Sequence, residues 1–425
     1  MNGCNQEEQK YKLMTIIVLL CAISSAARFV IDSTLPSLPA ISQAFGVSGN
    51  QVQLTLSAYM LGFGLSQLIY GPLSDRWGRK SVLIGGCLLF LFANTAMIFT
   101  HSFTLLLLFR LLAGVGMGAC GVLNRAIASD CFSGAAFSKA WSYTTTTLVA
   151  VLALAPLLGS VVQEWVGWHA NYLMATLYVT LILSMIIFKL PETNVTHRLS
   201  HLSLSKVFKD YRTIFTTPSF IASSICYSLA FAGLIAYFQV SSLLLMNVFH
   251  LSAIQYGASS LVIAVCYFVG GFAVTQLVNT VGTKNLLLAG ILILITSGLI
   301  MWIWGHFFTP SICSLLLPVS IFVIGARVII PNALSHAFNN LRHLGGSTSA
   351  ILGCLQMTSA ALISYILAGR DYSSTSALAI TFIGIGVVSL VTFYSDQLRI
   401  TSNKVLIKIA RTFVALTCFF VSIAI

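Results

Sequence analysis

Negative charge is what this chain has least of. Asp and Glu number 10 in 425 residues against 22 Lys and Arg, and charged side chains of both signs amount to only 8%. A soluble domain carries about a quarter of its residues as charges. With 57% hydrophobic residues and a mean hydropathy of +0.93, this chain has too little polar surface to face water on all sides and belongs in a bilayer. Other absences narrow the function. There is no CxxC spacing, and most of the ten cysteines sit in apolar runs where they act as small hydrophobes. No nucleophile elbow, phosphate loop or pair of catalytic carboxylates appears, so the sequence reads as no enzyme and implies no cofactor. His197 and His201 are four residues apart but lack a third ligand, so no metal site is expected. The net charge of +12 is spread over short loops rather than gathered on a basic domain, which argues for lipid head groups as its partner and against nucleic acid.

What the chain has is long apolar runs. A spanning helix needs about 20 mostly apolar residues, and twelve runs qualify: 13–36, 51–71, 81–100, 103–124, 141–163, 169–189, 219–243, 253–278, 285–305, 311–332, 347–368 and 375–395. They are continuously apolar, whereas barrel strands alternate over about ten positions. The fold class is therefore all-α integral membrane, with twelve transmembrane helices. If the amino terminus is inside, inner loops and tails hold 18 of the 22 basic residues, and Arg370 alone falls in an outer loop. Both termini are then cytoplasmic, in the cell inner membrane. Lys10 to Ala27 resembles a signal peptide, but the apolar run continues past Arg28 and predicts an uncleaved first span. The sequon Asn194-Val195-Thr196 falls on the predicted inner side and is discounted.

The longest polar interval, Pro191 to Pro218, divides the spans six and six. It predicts a six-helix bundle over 1–190, a cytoplasmic central loop over 191–218, a second six-helix bundle over 219–396, and a basic and apolar tail over 397–425, best placed as an interfacial helix. A shift of 204 positions lays Gly78 on Gly282, Lys80 on Lys284, Leu83 on Leu287 and Gly86 on Gly290, the mark of an internal repeat. It also sets Asp75 and Arg76 against Asn279 and Thr280, so the gating chemistry is expected in the first half.

Four charges crowd the loop from Gly71 through Asp75, Arg76, Gly78, Arg79 and Lys80. On charge alone it is a basic inner loop, with Asp75 expected at a helix amino terminus and Arg79 facing an inner carboxylate. The arrangement resembles the signature loop of the major facilitator superfamily at every fixed position of its G-x-x-x-D-R-x-G-R-K pattern. Arg110 followed by Gly114, Gly116 and Gly118, with Asp130 beyond, is similar to that family's fourth-span pattern, although Ala113 stands where Gln is usual. Ala155-Pro156-Leu157-Leu158-Gly159 resembles, more weakly, the antiporter motif of its drug exporters. Asp32 followed by Leu35-Pro36-Ser37-Leu38-Pro39 resembles the Bcr/CflA group of drug:proton antiporters. The resemblance implies two six-helix bundles and proton-coupled export of small, lipophilic molecules.

A carboxylate inside a membrane is costly and is usually paired or functional. Asp32 is the one acid well inside a predicted span, toward its outer end, and is the candidate proton carrier. Arg110, which the family uses in coupling, is expected to tune it, and the competing partner is Arg28, four residues earlier on the same helix face. Tyr59, Gln67, Tyr70, Asn124, Tyr237 and Gln239 are candidates for a substrate cavity together with Arg28 and Arg327. Each is also readable as packing, and Arg327 as support for the kink at Pro331. The same residues suit uptake by symport, or export of a metabolite or siderophore, and the fold also allows a sensor or assembly protein that transports nothing. A monomer is expected, with protons, a small-molecule substrate and the bilayer as partners.

Overall fold

The computed structural model describes residues 2–397 apart from 133, 195–203, 310, 339–340, 342–343 and 370–374. The tail over 397–425, Arg370, the sequon's last two residues and the two loop histidines thus lie, Gln397 aside, outside the described residues. Among the described residues the regular elements are helices: α1 (Asn2–Thr34), α2 (Leu38–Phe45), α3 (Gly49–Val52), α4 (Leu54–Trp77), α5 (Arg79–Phe99), α6 (Phe103–Cys131), α7 (Gly134–Trp165), α8 (Trp168–Lys189), α9 (Leu204–Phe215), α10 (Pro218–Leu243), α11 (Ala253–Val281), α12 (Thr283–Phe307), α13 (Ile312–Phe338), α14 (Gly345–Ala368) and α15 (Ser376–Gln397). Among the described residues, twelve helical spans are long and apolar enough to cross a membrane. One end of the molecule carries Arg76, Arg79, Lys80, Lys189, Arg212 and Lys284 and is called the basic end; the other is the far end.

The first span is longer than its apolar run suggested. The prolines do not stop it, because Pro36 opens a short 3-10 turn (Leu35–Ser37) and Pro39 opens α2, both at first-turn positions where a missing N–H costs nothing. The helical path therefore runs from Leu13 to Phe45. Asp32 lies thirteen residues before that end, or about 20 Å at 1.5 Å per residue, and so is deep in the span rather than near its outer edge. Likewise α6 continues to Cys131, which places Arg125, expected in a loop, inside a helix. The central interval holds α9, whose apolar Val207, Phe208, Tyr211, Ile214 and Phe215 recur at helical spacing.

Within the first half, α4, α5 and α6 cross with backbones in contact. A methyl group at Gly114 would overlap the Tyr59 carbonyl oxygen, and one at Gly116 would lie 2.6 Å from the Gly86 oxygen. The glycine face after Arg110 is thus a packing device, as small residues are in membranes where apolar side chains gain nothing from leaving lipid. The two halves meet along α4 with α14 and along α7 with α11. The α10 span is buried almost throughout, which makes it the inner wall of the second half, whereas most of α11 is not buried.

Candidate functional site: buried charges and the basic-end loop

Asp32 is fully buried, and Arg28 Nε donates to its Oδ2 at 2.5 Å. Helical geometry explains the pairing, since residues four apart share a face, and low dielectric strengthens it despite the less favourable Arg-before-Asp order. Arg28 also stacks over the Phe238 ring of α10, 5.4 Å to the centroid, so the pair faces the second half. Arg28 Nη2 and Asp32 Oδ1 have no hydrogen-bond partner.

Arg110 is engaged within the first bundle. Its Nη2 donates to Tyr172 Oη at 2.8 Å and its guanidinium covers that ring at 4.7 Å, all inside the first bundle. The direct partner of Asp32 is therefore Arg28, the local alternative, because Arg110 is already taken up by α8. Tyr59, a buried tyrosine of α4 whose hydroxyl has no hydrogen-bond partner, lies near both Arg110 and Asp32.

At the basic end, Arg79 gathers the loop. Its Nη1 donates to Ser74 Oγ at 2.5 Å and to Asp75 Oδ1 at 2.6 Å, and its Nε donates to Asp130 Oδ2 at 3.2 Å. Arg79 thus meets the inner carboxylate foreseen for it. Asp75 sits not at a helix amino terminus but in the last turn of α4, where the helix dipole is unfavourable to an acid and Arg79 offsets it. The amino terminus of α5 is instead capped by Glu192, which accepts from the backbone N–H of Arg79 at 2.8 Å, of Lys80 at 3.1 Å and of Asn194 at 3.0 Å. Sequence reasoning missed Glu192. It lies 112 to 113 residues from the two α5 amides it caps, and the only signal was an acid directly after a span in an acid-poor chain. Gly78 joins α4 to α5 at φ 89 and ψ 153, a conformation essentially reserved for glycine, and any side chain there would strike the Glu192 carboxylate. Lys80 Nζ donates to the Ile187 carbonyl at 2.8 Å, while Arg76 is exposed.

The weaker antiporter resemblance marks a contact region. A methyl at Gly159 would overlap the Ser33 carbonyl oxygen, so α7 touches α1 one residue beyond Asp32. Ala155 is buried, Pro156 lies inside α7, and Ser160 Oγ donates to its carbonyl at 2.7 Å while packing on Gly257 of α11. The residues proposed for a cavity divide. Gln239 bonds Gln53 Oε1 and the Ser364 carbonyl, bridging the halves toward the far end. Gln67 packs against Gly353 of α14, and Tyr70 is half-buried. Asn124 and Tyr237 are buried. Arg327 lies over the Tyr267 ring at 4.8 Å with its Nε unpartnered.

Comparison with known proteins places this geometry. The sequence profile described as Major Facilitator Superfamily matches residues 17–364. Multidrug resistance protein D of Escherichia coli (strain K12) is 26% identical over 385 residues, covering 90% of this chain and 95% of the relative. A bicyclomycin resistance protein homolog of Haemophilus influenzae is 26% identical over 91% of this chain and 97% of its own length. A chloramphenicol resistance protein of Pseudomonas aeruginosa is 26% identical over 81% and 82%. Among solved structures, a peptide transporter POT superposes with a TM-score of 0.69 at 15% identity over 90% of this chain and 94% of that one. The xylose transporter XylE from E. coli does so with 0.69 at 11% identity over 91% and 97%; at these identities the likeness speaks for the fold alone. These relatives agree with the Bcr/CflA resemblance, and with a family profile that spans most of the chain they carry one conclusion: the chain belongs to the Major Facilitator Superfamily and is a multi-pass membrane transporter, not an enzyme.

Proposed function

We propose that this transporter exports small, lipophilic molecules across the cell inner membrane in exchange for protons, by alternating access, as a monomer. The direction follows the relatives, which are named for drug resistance, and the positive-inside rule puts the basic end and both termini in the cytoplasm. The rocking units are residues 1–190 and 219–396, joined by the interval 191–218.

The observation that carries the proton is the buried Asp32, the single carboxylate deep in a spanning helix among the described residues. Opened to the far side it takes up a proton, its hold on Arg28 weakens and cargo leaves; opened to the basic side it releases the proton, and cargo and the Arg28 contact return together. Arg110 acts at one remove, through the field it shares with Asp32 at Tyr59. The Arg79 cluster with Asp75, Asp130 and Glu192 holds the basic-end loop and breaks or forms as the gate moves.

The test is proton release from purified, detergent-solubilised protein on addition of drugs. Release by wild type that is lost in Asp32→Asn supports exchange through Asp32. Equal release by the variant removes Asp32 from the mechanism.

A further inference from the structure

Two arginines inside spanning helices, Arg125 and Arg327, form no ion pair among the described residues. A guanidinium within a membrane is costly to keep and calls for a partner. Each of these two carries several N–H donors. Arg125 spends one on Ser349 Oγ at 3.0 Å. Arg327 makes no hydrogen bond among the described residues, and its Nε is buried without a partner. Both side chains are half-buried, neither sealed in a core nor open on a surface.

Both face the boundary between the halves. Arg125 belongs to α6, yet its guanidinium lies over Trp141 of α7 at 5.0 Å and Phe338 of α13 at 5.8 Å, and Ser349 is on α14. Arg327 of α13 passes Gly271 of α11, where a methyl would come within 2.9 Å of its Nε, and lies on the Tyr267 ring at 4.8 Å. Tyr267 and Gly271 share a helix face with Gly257 and Ser260, which pack on Ser160 and Ala153 of α7. The exposed Val265, Phe268 and Phe272 occupy another face of α11, so Arg327 is turned toward the first half and away from lipid. Tyr227 of α10 lies near both Arg125 and Tyr267 and joins the two guanidinium groups into one lane. Arg125 is six residues, about 9 Å, from the basic end of α6, and Arg327 eleven residues, about 16 Å, from that of α13. At the far end the halves are closed by Gln239 on Gln53 and by Glu164, which accepts from the Ile254 N–H at 3.1 Å. The lane therefore opens toward the basic end.

Resting on the export reading above, we infer that Arg125 and Arg327 form a binding lane for organic monoanions, a carboxylate on an aromatic body, which enter it from the basic end. The carboxylate accepts two N–H bonds from one guanidinium, and its ring lies among the aromatic side chains that flank the lane. Two stations about 7 Å apart in depth let the anion pass from one cation to the next, each hold being weak enough to release it. An organic cation meets only like charge here, and a neutral molecule leaves both guanidinium groups without a counter-charge. Asp32 keeps the proton and takes no part in this hold. Export of a monoanion against an inward proton moves positive charge inward on both counts, so an inside-negative potential drives it.

The test uses three probes built on one nitrophenyl ring: para-nitrobenzoate, an anion; its methyl ester, neutral; and para-nitrobenzylamine, a cation. Equilibrium binding to purified full-length protein, in an uncharged detergent at neutral pH, is expected to be at least about tenfold tighter for the carboxylate than for the ester, and weakest for the amine. Arg125→Gln and Arg327→Gln each lower the carboxylate-to-ester ratio about fivefold, and the double variant removes it. Arg327→Lys, which keeps the charge, retains most of it. Both affinities are read on one preparation, so a partly unfolded variant does not move the ratio. Ester binding as tight as that of the carboxylate in wild type overturns the inference, as does a ratio unchanged in the double variant. The ratio is expected to survive Asp32→Asn, and its loss there would overturn the separation of lane from proton carrier. Proton release by the carboxylate that persists in Asp32→Asn, with the ratio intact, would remove exchange at Asp32 and leave the lane standing.

Discussion

The two halves of this transporter share a backbone and differ in charge. Ser48 and Gln51 form a capping box ahead of α4, and Ser252 and Gln255, 204 positions on, form the same box ahead of α11. Gly78 turns the chain at φ 89 and ψ 153, and Gly282 at φ 81 and ψ 154. Yet the first turn is wrapped by Arg79, Asp75, Asp130 and Glu192, while the second has Asn279, Thr280 and a lone Lys284. A duplicated frame keeps what the backbone requires, namely helix starts and glycine turns. Charge that serves only one copy is free to disappear from the other.

The contrast is sharpest at the buried charges. If the first half carries the coupling, Asp32→Asn lowers drug-dependent proton release by about 100-fold or more, while Arg327→Gln in the second half costs less than about tenfold, since only the former removes an intramembrane proton acceptor. Drug-driven acidification of proteoliposomes reads both, and equal losses would break the asymmetry. The paired glycines come next. Gly78→Ala and Gly282→Ala each force a side chain into a glycine-only conformation, at about 1–3 kcal/mol. Gly78→Ala exceeds its counterpart because its methyl also meets Glu192, whereas nothing lies within 4 Å of one at Gly282. Thermal unfolding in detergent ranks the two. Glu192→Gln keeps the shape and removes the charge of the α5 cap, for an expected loss of about 1 kcal/mol.

The smallest effect lies outside the membrane spans. Tyr211 of α9 donates from its hydroxyl to the Leu68 carbonyl at 3.1 Å, and burial, with Asp75 and Asp210 nearby, pushes its phenol up to about 12. The folded state thus favours the protonated phenol. This contribution is complete below the unfolded value of about 10 and is lost as pH rises from there toward 12. Tyr211→Phe costs about 1 kcal/mol, unchanged between pH 6 and 9 in the same unfolding measurement.

Elements written along the chain were legible before the fold was known. Continuous hydropathy locates the spans, and the loop motif locates the Arg79 cluster. What escaped depends on where a helix stops or on what lies far away in sequence. The apolar run of the first span stops at Pro36, yet Pro36 and Pro39 occupy first turns and the helical path goes on to Phe45, which places Asp32 further in. The partner of Asp32 was a choice between a residue four positions away and one 78 positions away, and only the placement of Tyr172 beside Arg110 decides it. Glu192 was one acid in a polar interval until its carboxylate was seen against the start of α5. Helix α9 was hidden because polar composition was read as loop, although its apolar residues recur at helical spacing.

The seam between α4 and α14 has a mechanical consequence. Gly71 lies near Ala350 at the basic end, Gln67 against Gly353 further in, and a methyl at Gly64 would come within 3.0 Å of Met357 Cβ deeper still. Surfaces seated this closely along their length have no room to slide and little to gain by parting. Under the proposed alternating access the seam would serve as an axle: spin labels placed across α4 and α14 are expected to keep nearly constant spacing while labels elsewhere between the halves report a swing.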